Sequence, residues 1–144
     1  MKKFATILLI TAFGTAALAH SGVKNEAVMK RMALMTSIAE QMKVVGTMAK
    51  GQATFDVEKA RAALTEISQD SAGIPHLFKT QADDPKSEAL PKIWEQFDTF
   101  TSMADDTAQL SAQLAIIVNS KADLPDVLKQ MGASCKACHA DFRQ

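Results

Sequence analysis

Near its end the chain carries Cys135-Lys136-Ala137-Cys138-His139, two thiols and an imidazole within five residues. Cys-x-x-Cys-His is the attachment pattern of a c-type haem. The thiols add across the vinyl groups of the porphyrin as thioethers, and the histidine gives iron an axial nitrogen. The spacing suits that chemistry. On a helix of about 100° per residue, Cys135 and His139 lie ~40° apart and Cys138 about 100° away. All three point to one side, where a flat macrocycle meets them, and Phe142 and Arg143 continue that face one turn later. The motif uses both cysteines of the chain. One covalently held haem c per chain is the expectation, with Cys135 and Cys138 as thioether donors and His139 on iron.

Three other chemistries use similar residues. A thioredoxin-like Cys-x-x-Cys belongs near the start of a βαβ domain, whereas this pair closes a helical chain. A zinc site needs about four ligands, and the other histidines, His20 and His76, have no ligand spacing to the motif. A disulfide between Cys135 and Cys138 would close a very small loop in a helix, against the usual Cα separation.

The elements that position the motif follow from the rest of the sequence. A chain of 144 residues is enough for one domain with a real core. Met1 to Ala19 reads as a secretory signal: Lys2 and Lys3 start it, an apolar run from Phe4 to Phe13 follows, and Ala17-Leu18-Ala19 is a small-x-small cleavage site. The mature domain is then 20–144, exported to the periplasm, where thioether attachment takes place in bacteria. The apolar run is too short, and too broken by Thr and Gly, for a membrane anchor. The full chain carries 16 basic and 16 acidic side chains. Without Lys2 and Lys3 the formal charge is −2, which gives no reason to expect nucleic acid or an anionic membrane as partner.

Helical periodicity dominates the mature chain, and no strand is expected. The first helix is predicted over about 25–50, with Val28, Met32, Met35, Ile38, Met42, Val45 and Met48 in one stripe and Gly51 as its stop. The second runs from a cap at Asp56 to Asp70. Residues 71–90, broken by Gly73, Pro75 and Asp83-Asp84-Pro85, are predicted as a long loop anchored by Ile74, Leu77 and Phe78. The third helix starts at Pro91 and runs to about Val118, and the fourth starts at Asp123 with Pro125 in its first turn. Four helices with short or medium links predict an all-α fold, an antiparallel four-helix bundle. Apolar residues outside the first stripe, Leu34, Val44 and Ala49, point to a homodimer.

The chain resembles the cytochrome c-prime family over nearly all of the mature sequence. The matching pieces are Arg31 with Met35 four residues later, Lys50-Gly51, Phe55-Asp56, Leu77-Phe78, Pro91-Lys92-Ile93-Trp94, and the block from Gly132 to Arg143, whose arginine four residues after the haem histidine is a family mark. The resemblance implies that His139 is the one axial ligand, on the solvent-facing side, and that Arg143 sits beside it. Arg31 would lie near a haem propionate, and Met35 would shield the opposite haem face. Glu88 falls at a position that touches haem in relatives. A glutamine that often follows the helix-one arginine is replaced by Met32, so its propionate contact is in question.

With only Met35, Ile38 and Met42 near the sixth site, bound dioxygen would find no donor, whereas NO and CO depend less on one. The resemblance thus implies a five-coordinate, high-spin haem that takes up NO and CO, carries electrons to an unidentified redox partner, or does both. The alternative is the low-spin cytochrome c-556 group of the same fold, in which a first-helix methionine at the Met35 position ligates iron and the protein is an electron carrier alone. A haem-free helical binding module is a third class. No paired carboxylate, Ser/His/Asp set or phosphate loop suggests an enzyme.

Overall fold

A computed structural model describes residues 22–144, so the predicted signal segment lies outside the described residues. Four long helices, α1 (Glu26–Ala49), α2 (Val57–Phe78), α4 (Phe97–Ile117) and α5 (Leu124–Phe142), are joined by a short α3 (Lys92–Glu95) and a 3-10 turn, Lys121–Asp123. They form the expected four-helix bundle. Among the described residues there is no strand, only an isolated antiparallel bridge between Ala89 and Arg143.

Local chemistry sets several ends as predicted. The Asn25 side chain accepts from the amides of Ala27 and Val28 at the start of α1, and Asp56 accepts from Lys59 at the start of α2. Gly51 stands at φ 71°, a conformation that costs glycine little. It closes α1 with amide bonds from Gly51 to Met48 and from Gln52 to Thr47. Asp123 differs from expectation. Its carboxylate accepts from the amides of Asn119 and Ser120 and so caps the 3-10 turn, and α5 begins one residue later, with Pro125 in its first turn.

Two predicted boundaries are corrected. α2 does not stop at Asp70 but continues through Pro75 to Phe78. Residues Ala60, Leu64, Ile67, Ser71, Ile74 and Phe78 form one unbroken buried stripe. Burying two more large side chains at helical spacing offsets the ~3 kcal/mol disruption of an interior proline. The long loop therefore shrinks to residues 79–91. The predicted third helix is broken at Gln96, which leaves helical geometry at φ −128°, ψ 45°. Just before the break, the Trp94 indole N–H donates to the Phe78 carbonyl at 2.8 Å.

Cross-helix pairs give the register. Ser111 Oγ donates to the Leu64 carbonyl at 2.7 Å, and Arg61 Nε donates to the Val118 carbonyl at 3.2 Å. As α2 rises, α4 descends. The Thr107 and Ser134 hydroxyls meet at 2.7 Å and Phe142 packs on Phe100, so α4 and α5 are antiparallel as well. The core is Val45, Leu64, Ile67, Ile93, Leu114, Leu124 and Met131, all nearly inaccessible. Leu34 and Ala49 pack on this core. Of the apolar residues that suggested a dimer, only Val44 faces outward.

Candidate haem site

Cys135, Cys138 and His139 lie on the last two turns of α5. The core-facing stripe of this helix is sealed at Val127 and Met131, opens to half-burial at Cys135 and Cys138, and is sealed again at Phe142. On α1 the same pattern occurs. Arg31, Ile38, Val45 and Met48 are buried, but Met35 and Met42 between them are only half-covered. Met35 and Cys138 lie toward the same end of the bundle. At one end of the bundle, a Cβ on Gly51 would meet Lys121 Nζ at 3.2 Å. At the other, Arg31 lies 4.7 Å from the Phe78 ring, Phe78 5.1 Å from Phe100, and Phe100 5.3 Å from Phe142. One turn in from Arg31 stands Met35, and one turn in from Phe142 stands Cys138.

Phe142 sets the height of the motif. Its ring is buried edge-on against Phe100, and Lys92 caps it, with Nζ 5.5 Å from the ring centroid and 2.7 Å from Asp141 Oδ1. His139, three residues earlier, is thereby presented at the surface. Beyond Phe142 the chain pairs with the loop, the Leu90 amide donating to Phe142 at 3.0 Å and the Gln144 amide to Glu88 at 2.9 Å. The Arg143 guanidinium bonds the Glu88 carboxylate, Nε to Oε2 at 2.5 Å. The predicted neighbours Glu88 and Arg143 are thus a mutual pair, and both charges are felt at His139.

The electrostatics of the two thiols differ from those of a reactive dithiol. Burial pushes the Cys135 thiol up, and burial followed by the charges of Cys135 and Asp141 does the same for Cys138. Reactive exchange cysteines have lowered values. Both thiols are free. Burial first, then the Arg143 charge, draws His139 below its ordinary range, against an opposing effect of Glu88. The imidazole is therefore neutral at pH 7 and keeps a lone pair for a metal. Among the described residues no group of three His, Cys, Asp or Glu side chains is placed to hold a bare ion.

The residues fit a haem. Two thiols and an imidazole share the last turns of one helix, and half-covered Met35, Met42, Phe97, Met103 and Leu128 edge the core. Arg31 supplies a buried cation, 3% exposed, with no carboxylate among the described residues paired to it. Its Nε donates to the Leu77 carbonyl at 3.0 Å, Nη1 to Ala82 at 3.2 Å, and Nη2 to Thr80. It lies between the rings of Phe78 and Trp94. Burial draws its pKa down. Three bonds leave two of its five N–H groups for a propionate. Met32 beside it is half-buried and offers no N–H in place of the family's glutamine.

The sequence alone shows neither this cage nor the role of Asp84, which is 5% exposed; beside Pro85 it reads only as turn chemistry. The signal available was an acidic pair before Pro85, but its target, the amides of Lys24 and Asn25, is remote in sequence.

A family profile described as Cytochrome C' matches residues 26–143. The chain belongs to the cytochrome c' family. It is 35% identical over 118 residues to cytochrome c-556 of Agrobacterium tumefaciens (strain II Chrys), covering 79% of this chain and 93% of that one. It is 31% identical to cytochrome c' of Rhodopseudomonas palustris, over 98% of this chain and 95% of the relative. Among solved structures, oxidized cytochrome c556 of R. palustris superposes with a TM-score of 0.75 at 26% identity, covering 84% of this chain and 98% of that one. The cytochrome c' family makes this a haem protein of the electron-carrier or ligand-binding kind. Among the described residues no helix is long and apolar enough to cross a membrane.

Proposed function

We propose that this protein is a periplasmic electron carrier, with one haem bound covalently through Cys135 and Cys138 and held axially by His139 and Met35. Haem supplies a one-electron iron couple, and the chain supplies its two ligands and an apolar surround. The observation that carries this reading is that Met35 and Cys138 lie at the same end of the bundle, each one turn in from the contacts that run from Arg31 through Phe78 and Phe100 to Phe142. A thioether on that turn of α1, half-covered at the edge of the core, would supply the sixth donor to iron. Thioether ligation raises the potential, which suits a carrier. The relative named cytochrome c-556 supports the same reading.

Arg31 does not discriminate between the family's two groups, because its cage of carbonyls and rings gives it a structural task in either. The propionate contact is then carried by its remaining N–H groups.

The second reading keeps Met35 as a lid over a five-coordinate, high-spin iron that binds NO and CO. It is favoured by the likeness to a relative named cytochrome c' along 98% of the chain. One pair of ferric spectra separates the two. With Met35 on iron, the wild type is low-spin, has the weak far-red sulfur-to-iron band, and binds CO slowly. Met35→Ala is then high-spin and open. A high-spin wild type without that band overturns methionine ligation and restores the gas-binding reading. In either case acid-acetone should leave colour on the wild type and remove it from the Cys135→Ser, Cys138→Ser double variant.

A further inference from the structure

The two helices that bear the proposed iron ligands are tied together by a segment that bears neither. α1 packs chiefly on α2, and α5 packs on α4 and, to a lesser extent, on α1 itself. Residues 79–91 bridge them directly. On the α1 side, Asp84 Oδ2 accepts from the amides of Lys24 at 2.8 Å and Asn25 at 3.0 Å, at the mouth of the helix. Its other oxygen accepts from Lys86 at 2.9 Å within the loop. Both carboxylate oxygens are thus used, and the residue is buried. The carbonyls of Thr80 and Ala82 add a second tie, to Arg31. On the α5 side, Glu88 bonds Arg143 and the backbones of Glu88 and Leu90 pair with Gln144 and Phe142.

We infer that Asp84 is a positioning residue for the sixth side of the haem: the 79–91 segment is a strap that holds α1, and with it Met35, at a set spacing from the helix carrying His139. The physical reason is the distribution of ties. Met35 lies between the strap's two α1 contacts and the sealed part of the bundle at Ile38. Release of the Asp84 contact leaves the first two turns of α1 held only by the buried Val28 and Arg31, and their looser seating shifts Met35, in the next turn, away from the centre of the site. The apolar core below Ile38 stays closed, so the motion is local opening and not unfolding.

The inference rests on the proposed placement of Met35 beside iron, and its test separates the two. CO association with the ferrous holoprotein requires Met35 to move aside whether it ligates iron or covers it. Asp84→Ala should raise that rate about tenfold, the factor associated with one hydrogen bond to a charged group, at temperatures where the protein is fully folded. Asp84→Asn, which keeps one acceptor oxygen and the side-chain volume, should lie between it and wild type and serves if the alanine variant yields no holoprotein. Ser111→Ala removes a buried tie between α2 and α4 remote from the strap and should leave the rate unchanged. A rate within about twofold of wild type in the folded Asp84 variants, or an equal increase in Ser111→Ala, overturns the strap. The far-red sulfur band in the wild type reports separately on ligation: its absence removes methionine coordination and leaves the CO comparison valid for a lid.

Discussion

Phe142 stands edge-on to Phe100, with ring centroids 5.3 Å apart and planes at 85°. This contact joins the turn after the haem motif to the first turn of α4, and Phe100 in turn packs on Phe78 and Phe97. Edge-to-face pairs add about 0.5–1.5 kcal/mol beyond the area they bury. The motif's helix therefore ends in a fixed place although His139 itself is exposed.

Truncation of that ring should be costly. Phe142→Ala is expected to lose about 3–5 kcal/mol, as for other buried phenylalanines, read as a lower midpoint in urea unfolding. Phe142→Leu should lose clearly less, because it refills most of the space. Equal losses in the two would mean that the contact is not a packed core site.

Arg31 presents a second measurable clamp. Its guanidinium is 3% exposed and serves three carbonyls on one side of the bundle. Arg31→Met keeps the stem but leaves those carbonyls short of donors, at an expected cost of about 2–4 kcal/mol. Arg31→Lys should recover only part of that, since an ammonium cannot reproduce the planar fork. Full stability in Arg31→Lys would show that charge alone, without the fork, suffices.

The acid limb of stability should depend on Asp84. Backbone bonds from Lys86, Lys24 and Asn25, with the Lys24 charge a smaller contribution, hold its carboxyl below the usual carboxylate range. Backbone bonds from Asn119 and Ser120 do the same for Asp123. A lowered folded value means stability that is full above the unfolded carboxylate value of about 4 and lost as pH falls through the lower folded value. The difference in urea midpoint between wild type and Asp84→Asn should be largest near neutrality and shrink below pH 4. A constant difference down to the lowest pH of folding would remove Asp84 from the acid transition.

The chemistry is already written in the local order of residues. Two thiols and an imidazole at i, i+3 and i+4 need only helical geometry to share a side, and the stripes of α1 and α5 need only their period. The helix caps at Asn25 and Asp56 and the stop at Gly51 are equally local. Tertiary structure decided what local rules oppose. Pro75 breaks a helix by its own chemistry, yet the places waiting for Ile74 and Phe78 in the core carry α2 to Phe78. Pro91 to Val118 reads as one helix, yet the Trp94 bond to Phe78 accompanies a break at Gln96. The placement of Met35 and Cys138 at one end of the bundle, the cage around Arg31 and the strap through Asp84 were invisible for one reason. Each depends on residues some 50 to 100 positions apart, and only the antiparallel register of the bundle brings them to the same end.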